Sequence, residues 1–233
     1  MKVTLLVPTL NEAEGMRAIM PRVDPAWCDQ VLVVDGNSRD GTAEIAREMG
    51  YEVMLQHRKG IRHAFIEAMP HVRGDVVLTF SPDGNCIPEH IPLLIEKMRE
   101  GYDMVIGSRY LGNTHSADDS RLTRFGNRLF TTSINRLHGG HYTDAMNIFR
   151  AWRRSLFYEL DMDKDASYAT ERLFFTVMGC EPLLSVRAAK RKLRVTEIPS
   201  PEPARIGGEA KLQVIRWGGS YMLQVLRETV YWK

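Results

Sequence analysis

The first half of the chain repeats one pattern: a short apolar run, a turn rich in Gly, Asn and Asp, then a helical stretch. The runs are VTLLVP (3–8), QVLVVD (30–35), YEVML (51–55), DVVLTF (75–80) and DMVIGS (103–108). Helical patterns lie between them near 13–20, 42–49, 61–69 and 88–100. Strands that are apolar on both faces need cover on both, and alternation with helices gives parallel pairing by crossover. The expected fold is therefore α/β, with a mostly parallel central sheet flanked by helices. In such sheets ligands collect beyond the carboxyl ends of the strands. Thr9, Asn11, Glu12, Asp35, Asn37, Asp40, Arg58, Lys59 and Asp83 all fall at those ends.

The second half is organised differently. A polar loop (109–120) precedes an amphipathic stretch, RLTRFGNRLFTTSINRLHG, with Leu122, Phe125, Leu129 and Ile134 along one side. NIFRAW, after Asp144, is strand-like, and a last amphipathic helix is expected near 210–231, with Gly218-Gly219 as a candidate break or kink. With no repeat, low-complexity tract or Pro/Ser linker, the 233 residues read as one domain, and 44% hydrophobic content is ample for its core. The balance of 31 Lys+Arg against 29 Asp+Glu demands no nucleic-acid partner. Cys28, Cys86 and Cys180 are odd in number and far apart, which fits unpaired thiols in a reducing compartment. The amino-terminal run reads as a first strand rather than a secretory signal, and no window offers the ~20 apolar residues of a membrane span. The expectation is a soluble, cytoplasmic chain, able to lie peripherally on the cytoplasmic face of a membrane.

Generic motifs are weak here. GxxxxGK[ST] and GxGxxG are absent. DMDKDASYATER (161–172) has Ala166 where a calcium loop needs Gly and Arg172 where it needs Glu, and reads as a solvated acidic loop. HGGH (138–141) reads as a polar turn. Arg187, Lys190, Arg191 and Arg194 share one helical face and read as solvated. VVDGNSRDGT is stronger. It is a well-formed βα loop, with Asp40 or Thr42 as helix cap. Being a good loop does not explain why Glu12, Asp35 and Asp83 reach the same sheet edge. Converging carboxylates repel unless a cation or donors compensate them. A nucleotide supplies donors, and its diphosphate brings a hard divalent ion such as Mg²⁺ or Mn²⁺.

VPTLNEAEG, VLVVDGNSRDGT, RKGIRHAF, GDVVLTFSPDGNCIPEHI and DMVIGSRY, in this order and spacing, resemble the family-2 inverting glycosyltransferases of the GT-A fold. TRFGNRLF, DAMNIFRAW, EPLLSVRAAKRKLRVTEIP and RIGGEAKL extend the likeness to nearly the whole chain, closest to dolichyl-phosphate mannose synthase and other polyprenyl-phosphate sugar transferases. The resemblance implies a single GT-A domain over 1–233, with a nucleotide-sugar-binding half (1–110) and an acceptor-binding half (111–233). It implies that Pro8, Thr9, Asn11 and Glu12 line the nucleoside, that Asp35 faces the base, and that Lys59 and Gly60 lie near the nucleotide at a helix start. Asp83 matches the second Asp of the family's Asp-x-Asp motif, and Asn85 follows where a further metal or phosphate contact is common. Arg109, Arg124, Arg205 and Lys211 fall in stretches that surround donor and acceptor phosphates in the relatives.

The chain departs from the family pattern twice. Gly36 stands where a second acid is frequent, and Ser81 replaces the first Asp of Asp-x-Asp. A hydroxyl is a poorer cation ligand than a carboxylate, so the metal is expected to rest on Asp83, the diphosphate and Asn85. The expected reaction moves a hexose, mannose or glucose, from a nucleotide diphosphate sugar to a polyprenyl phosphate. A lipid phosphate is mostly a dianion at neutral pH and needs positioning rather than a general base. Arg109, Arg121, Arg124, Arg128, Arg150 and Arg205 are the candidates for that task. A soluble alcohol acceptor is the alternative, with Glu181 as its base candidate and Glu171 further upstream. A non-catalytic nucleotide-sugar-binding protein is the third reading, motivated by Ser81 and Gly36. The amphipathic stretches at 121–137 and 210–231 are candidates for peripheral membrane contact.

Overall fold

The computed structural model describes residues 1–207 and 214–232. Strands β1 (Val3–Thr9), β2 (Gln30–Asp35), β3 (Glu52–Leu55) and β4 (Val76–Thr79) alternate with helices α1 (Ala13–Ile19), α2 (Thr42–Glu48) and α3 (Ile61–Ala68). Helix α4 (Ile91–Arg99) leads to β5 (Met104–Ser108) and then to the long helix α5 (Arg121–His138). The chain continues through β6 (Arg150–Arg153), short helices α6 (Leu156–Glu159) and α7 (Glu171–Phe174), α8 (Glu181–Lys190), β7 (Val195–Pro199) and α9 (Val214–Arg227).

The strands form one sheet in the order β3-β2-β1-β4-β6-β5-β7. All neighbours pair in parallel except β6, which runs antiparallel to both β4 and β5. This is the mostly parallel α/β arrangement that the alternating pattern predicts. Successive strands step outward from β1 in opposite directions, so the topology switches between β1 and β4, where open α/β sheets place their ligands. Two apolar layers cover the sheet. Leu5, Val7, Val33 and Leu78 pack on one face with α1 and α4; Leu6, Leu32, Val34 and Val77 pack on the other with α3 and α8. Among the described residues no helix is long and apolar enough to cross a membrane.

The first turn of α1 is capped from outside its own segment. Asp40 Oδ2 accepts from the Ala13 N–H at 3.0 Å, and Thr42 Oγ1 accepts from the Glu12 N–H at 2.9 Å. Burial raises the Asp40 carboxyl, but its hydrogen bonds from Thr42 and Ala13 outweigh this and hold it below the usual range. The loops after β1 and β2 are thereby locked together at the sheet edge.

The structure corrects three readings in the second half. Arg187 does not belong to a solvated basic face: it is fully buried and gripped by Glu228 at 2.9 and 3.1 Å. Helix α8 ends at Lys190, so Arg191 and Arg194 do not continue its surface. The acidic stretch 161–172 is only partly solvated, because Ser167, Tyr168 and Glu171 are buried and Asp161 accepts from Trp232 Nε1 at 2.9 Å. Gly218-Gly219 does not break α9, which runs through both. HGGH is a turn that begins with a buried group: His138 Nε2 donates to the Val225 carbonyl at 2.9 Å, and Gly139 ends α5 at φ 75°. Removing one charge from a fully buried pair strands the other. Glu228→Gln is therefore expected to lower unfolding stability by about 3–5 kcal/mol. Urea denaturation measures this, and a loss below about 1 kcal/mol would show that the pair clamps nothing.

Candidate active site

A cleft of about 2080 Å³ opens along the carboxyl edge of the sheet and continues past α5 to α9. Its first end is built by the β1–α1 and β2–α2 loops. Asn11 and Asn37 adopt positive φ, 53° and 64°, a conformation Asn tolerates because its side chain bonds locally. Asn11 Oδ1 accepts from the Arg39 N–H at 2.9 Å, and Asn37 Nδ2 donates to the Gln56 carbonyl at 2.8 Å. Pro8, Thr9, Asn11 and Glu12 line this end, as do Lys59 and Gly60. Gly60 has φ 101°, and a Cβ there would come within 2.7 Å of Val177 Cβ, so only glycine lets the loop approach the 175–179 segment.

Asp35 does not face the cleft. Its carboxylate accepts from the Ser38 N–H at 2.9 Å, from the Ser38 hydroxyl at 2.5 Å and from the Thr9 hydroxyl at 3.2 Å. It ties the loop together, and Gly36, Asn37 and Arg39 present the surface instead. Those three follow an apolar strand directly; the only sequence signal for them is that position.

The middle of the cleft holds Asp83. Gly84, at φ 91°, turns the chain beneath it, and the Ile206 N–H donates to the Asp83 carbonyl at 2.7 Å. That contact delivers Arg205, whose Nη1 donates to Asp83 Oδ2 at 2.6 Å and whose Nη2 reaches Asp118 Oδ2 at 3.3 Å. Burial pulls the Arg205 guanidinium down, yet Asp83 and Asp118 outweigh it and leave its pKa above the ordinary value. Asn85 Nδ2 donates to the same Asp118 oxygen at 3.0 Å. Asn85 Oδ1 is buried with no hydrogen-bond partner among the described residues.

Arg109 lines the cleft but is committed elsewhere. Its Nε and Nη2 donate to Asp144 at 2.6 and 2.9 Å. Burial opposes both charges, and their mutual attraction overrides it, lowering the Asp144 carboxyl and raising Arg109 well above its usual value. Arg109 thus braces the loop after β5 rather than offering a free phosphate-binding fork. Of the other arginines expected around the acceptor, Arg150 is buried behind the sheet edge, bonded to the Asn147, Ala145 and Glu181 carbonyls and to Ser185. Arg121, Arg124 and Arg128 are exposed on α5 but form no part of the cleft wall. Lys211 lies outside the described residues.

The far end of the cleft is apolar. Leu122, Phe125 and Leu129 on α5 stand 60%, 64% and 43% exposed, whereas Ile134 further along the same helix is buried. Phe130, Trp217 and Phe175, the last 86% exposed, continue this wall. Glu181 lies at its base. Burial pushes this carboxyl up against the opposing pull of Arg150, and its Oε1 has no hydrogen-bond partner among the described residues. Glu171, the other acid considered, is spent on Arg62 at 2.7 and 3.2 Å and on the Met178 N–H.

No three His, Cys, Asp or Glu side chains among the described residues converge as a metal cluster. Asp83, Asp118 and the Asn85 carbonyl are nonetheless hard oxygen donors of the kind Mg²⁺ and Mn²⁺ prefer, and they suit an ion whose remaining ligands come from a diphosphate. Chemically, the cleft joins a polar end able to hold an anionic, hydroxyl-rich ligand to an apolar wall open to solvent.

Residues 4–161 match the sequence profile described as Glycosyl transferase family 2. Among similar proteins, Glycosyltransferase AglJ of Haloferax volcanii is 31% identical over 227 residues, covering 97% of this chain and 71% of that protein. The dolichyl-phosphate hexose transferase of the same organism is 28% identical over 218 residues, covering 93% and 89%. A crystal structure of glucosyl-3-phosphoglycerate synthase from Mycobacterium tuberculosis, with Mn²⁺, UDP-glucose and phosphoglyceric acid, superposes with a TM-score of 0.66 at 17% identity, over 98% of this chain and 79% of that one. That likeness concerns the GT-A fold. The profile match spans most of the chain, and the cleft sits where the sheet topology places it: this protein is a glycosyltransferase and belongs to glycosyl transferase family 2.

Proposed function

We propose that this enzyme transfers a hexose from a nucleotide diphosphate sugar to a polyprenyl phosphate, with Mg²⁺ or Mn²⁺ on the donor diphosphate. The observation that carries this reading is the continuity of the cleft, from the carboxylates beyond β1 and β4 to the exposed apolar face of α5. A sugar acceptor of ordinary polarity has no use for such a wall, whereas an isoprenoid chain does. Similarity to a dolichyl-phosphate hexose transferase over nearly the full length supports the same class of acceptor.

In this scheme the loops after β1 and β2 hold the nucleoside, with Asn11, Glu12, Asn37 and the Lys59-Gly60 turn around it. Asp83, Asn85 and Asp118 would hold the divalent ion, which supplies charge neutralisation to the diphosphate. Among the described residues Arg205 is the cleft arginine whose guanidinium reaches the Asp83 site, and it orients phosphate oxygens there. The acceptor phosphate oxygen forms its bond to C1 as the bond from C1 to the diphosphate oxygen breaks, and the nucleoside diphosphate leaves. No proton has to be removed from a dianionic acceptor. The apolar wall and the flanking Arg121, Arg124 and Arg128 suit peripheral contact with the cytoplasmic face of a membrane.

A second reading keeps one observation in its favour. Glu181 is a buried carboxyl at the cleft base with an unpartnered oxygen, the environment of a general base for an alcohol acceptor.

Three outcomes follow. Asp83→Ala is expected to cut transfer about 10²-fold or more with the fold intact, and EDTA to abolish it. The assay is transfer from a panel of labelled nucleotide sugars to a short polyprenyl phosphate; undiminished turnover in the mutant would sink the donor-site assignment. Phe125→Asp and Leu129→Asp are expected to raise KM for a long-chain polyprenyl phosphate about tenfold, since burying such a side chain is worth about 1.5–3 kcal/mol, and to weaken sedimentation with anionic vesicles. Unchanged KM would detach the apolar wall from the acceptor. Because Glu181 has a raised pKa, catalysis through it as a base requires kcat/KM to climb with pH through that raised value. If the acceptor is a phosphate, Glu181→Gln leaves the pH profile in place; if it is an alcohol, the mutation erases the rising limb.

A further inference from the structure

The missing first carboxylate of the Asp-x-Asp motif has a replacement from elsewhere in the chain. Ser81 stands in the motif position, yet Asp83 is not the only acid at the site. Asp118, from the loop between β5 and α5, meets Asp83 across a single guanidinium: Arg205 donates to Asp83 at 2.6 Å and to Asp118 at 3.3 Å. Asn85 joins them by donating to Asp118 at 3.0 Å, while its buried Oδ1 lacks a hydrogen-bond partner among the described residues. An orphaned buried carbonyl beside two carboxylates is an incomplete set of hard donors.

Asp118 is held in place by specific bonds. The Ala117 N–H donates to the Glu202 carbonyl at 2.8 Å, and the Glu202 N–H donates to the His115 carbonyl at 3.1 Å. The Ser116 hydroxyl bonds the Glu202 carboxylate, and Tyr110 bonds Asp119 next to it. The loop that carries Asp118 and the segment that carries Arg205 are therefore zipped into one unit. Ile206 docks that unit on the Asp83 turn, where a Cβ on Gly84 would come within 2.9 Å of Ile206 Cγ1. The charges also match. Two carboxylates carry two negative charges, the guanidinium offsets one, and a divalent cation offsets both.

We propose that Asp118 substitutes for the motif carboxylate lost at Ser81, and that Arg205 occupies the cation position until a divalent ion displaces it. The proposal rests on the donor site described above. It makes Arg205 a placeholder in the donor-free enzyme and frees its guanidinium for the diphosphate when the ion arrives.

Mn²⁺ binding to the full chain, followed by loss of the free-ion electron paramagnetic resonance signal, tests this without reference to turnover. It is measured with the metal alone and with UDP or GDP added. Arg205→Gln is expected to bind Mn²⁺ alone about tenfold more tightly than the wild type, and Asp118→Asn about tenfold more weakly in the presence of nucleoside diphosphate. Adding Ser81→Asp to Asp118→Asn is expected to restore most of the loss, a rescue that a misfolded variant cannot show. Wild-type affinity in Asp118→Asn, or no rescue by Ser81→Asp, overturns the role of Asp118. Equal affinity of Arg205→Gln and wild type for Mn²⁺ alone overturns the placeholder. Absence of Mn²⁺ binding in every variant, with or without nucleotide, overturns both. Should the wild type transfer no sugar to any acceptor while the binding pattern holds, the acceptor reading fails and this proposal stands.

Discussion

Gathering carboxylates at one edge of a parallel sheet concentrates negative charge where the backbone offers little to offset it, and the surrounding structure is arranged to compensate that charge. Each acid at the edge finds a different solution. Asp35 accepts hydrogen bonds from Ser38 and Thr9 and becomes part of the loop. Asp40 caps the first turn of α1. Asp144 takes up the guanidinium of Arg109. Asp83 shares its guanidinium with Asp118, because Arg205 arrives on a half-exposed segment rather than from the core.

The same logic joins the two halves of the chain. Arg62 on α3 binds Glu171 and Asp165, and Glu171 also receives the Met178 N–H. The glycine that opens α3, Gly60, packs against Val177 two residues before Gly179. The turn that borders the polar end of the cleft is therefore in direct contact with the strip that leads to Glu181 and the apolar wall. Behind that wall, Arg187 and Glu228 lock α8 to the end of α9 in a site with no access to water. A rigid base supports an exposed surface: the carboxyl-terminal part of α5 packs on α8 and α9, and its amino-terminal part presents Leu122, Phe125 and Leu129 outward.

Much of this is legible in the sequence. Strand and helix order, the parallel sheet and the edge that carries function all follow from apolar runs interrupted by Gly, Asn and Asp turns, because strand periodicity and turn chemistry are local properties. Asp83, Asn11 and Glu12 could be placed at the cleft edge because they lie immediately after strands, and Gly60 through the family resemblance. The arginines were not separable in this way. Arg124 and Arg205 carry the same charge and sit in equally suggestive stretches, yet Arg205 reaches Asp83 while Arg124 stays outside the cleft wall. Arg187 belongs to an apparent basic face and is in fact fully buried.

The sequence by itself determined the α/β class, the turns that border the cleft at the carboxyl ends of β1, β2 and β4, and the family, because these depend on residue order along short segments. Only the tertiary structure decided which charges pair. Asp118 lies 33 residues from Asn85 and 87 from Arg205, and no local rule brings them together. It also decided that the apolar face of α5 splits, its carboxyl-terminal half buried and its amino-terminal half exposed. Helical periodicity specifies which residues share a face, but what covers that face depends on where α8 and α9 end.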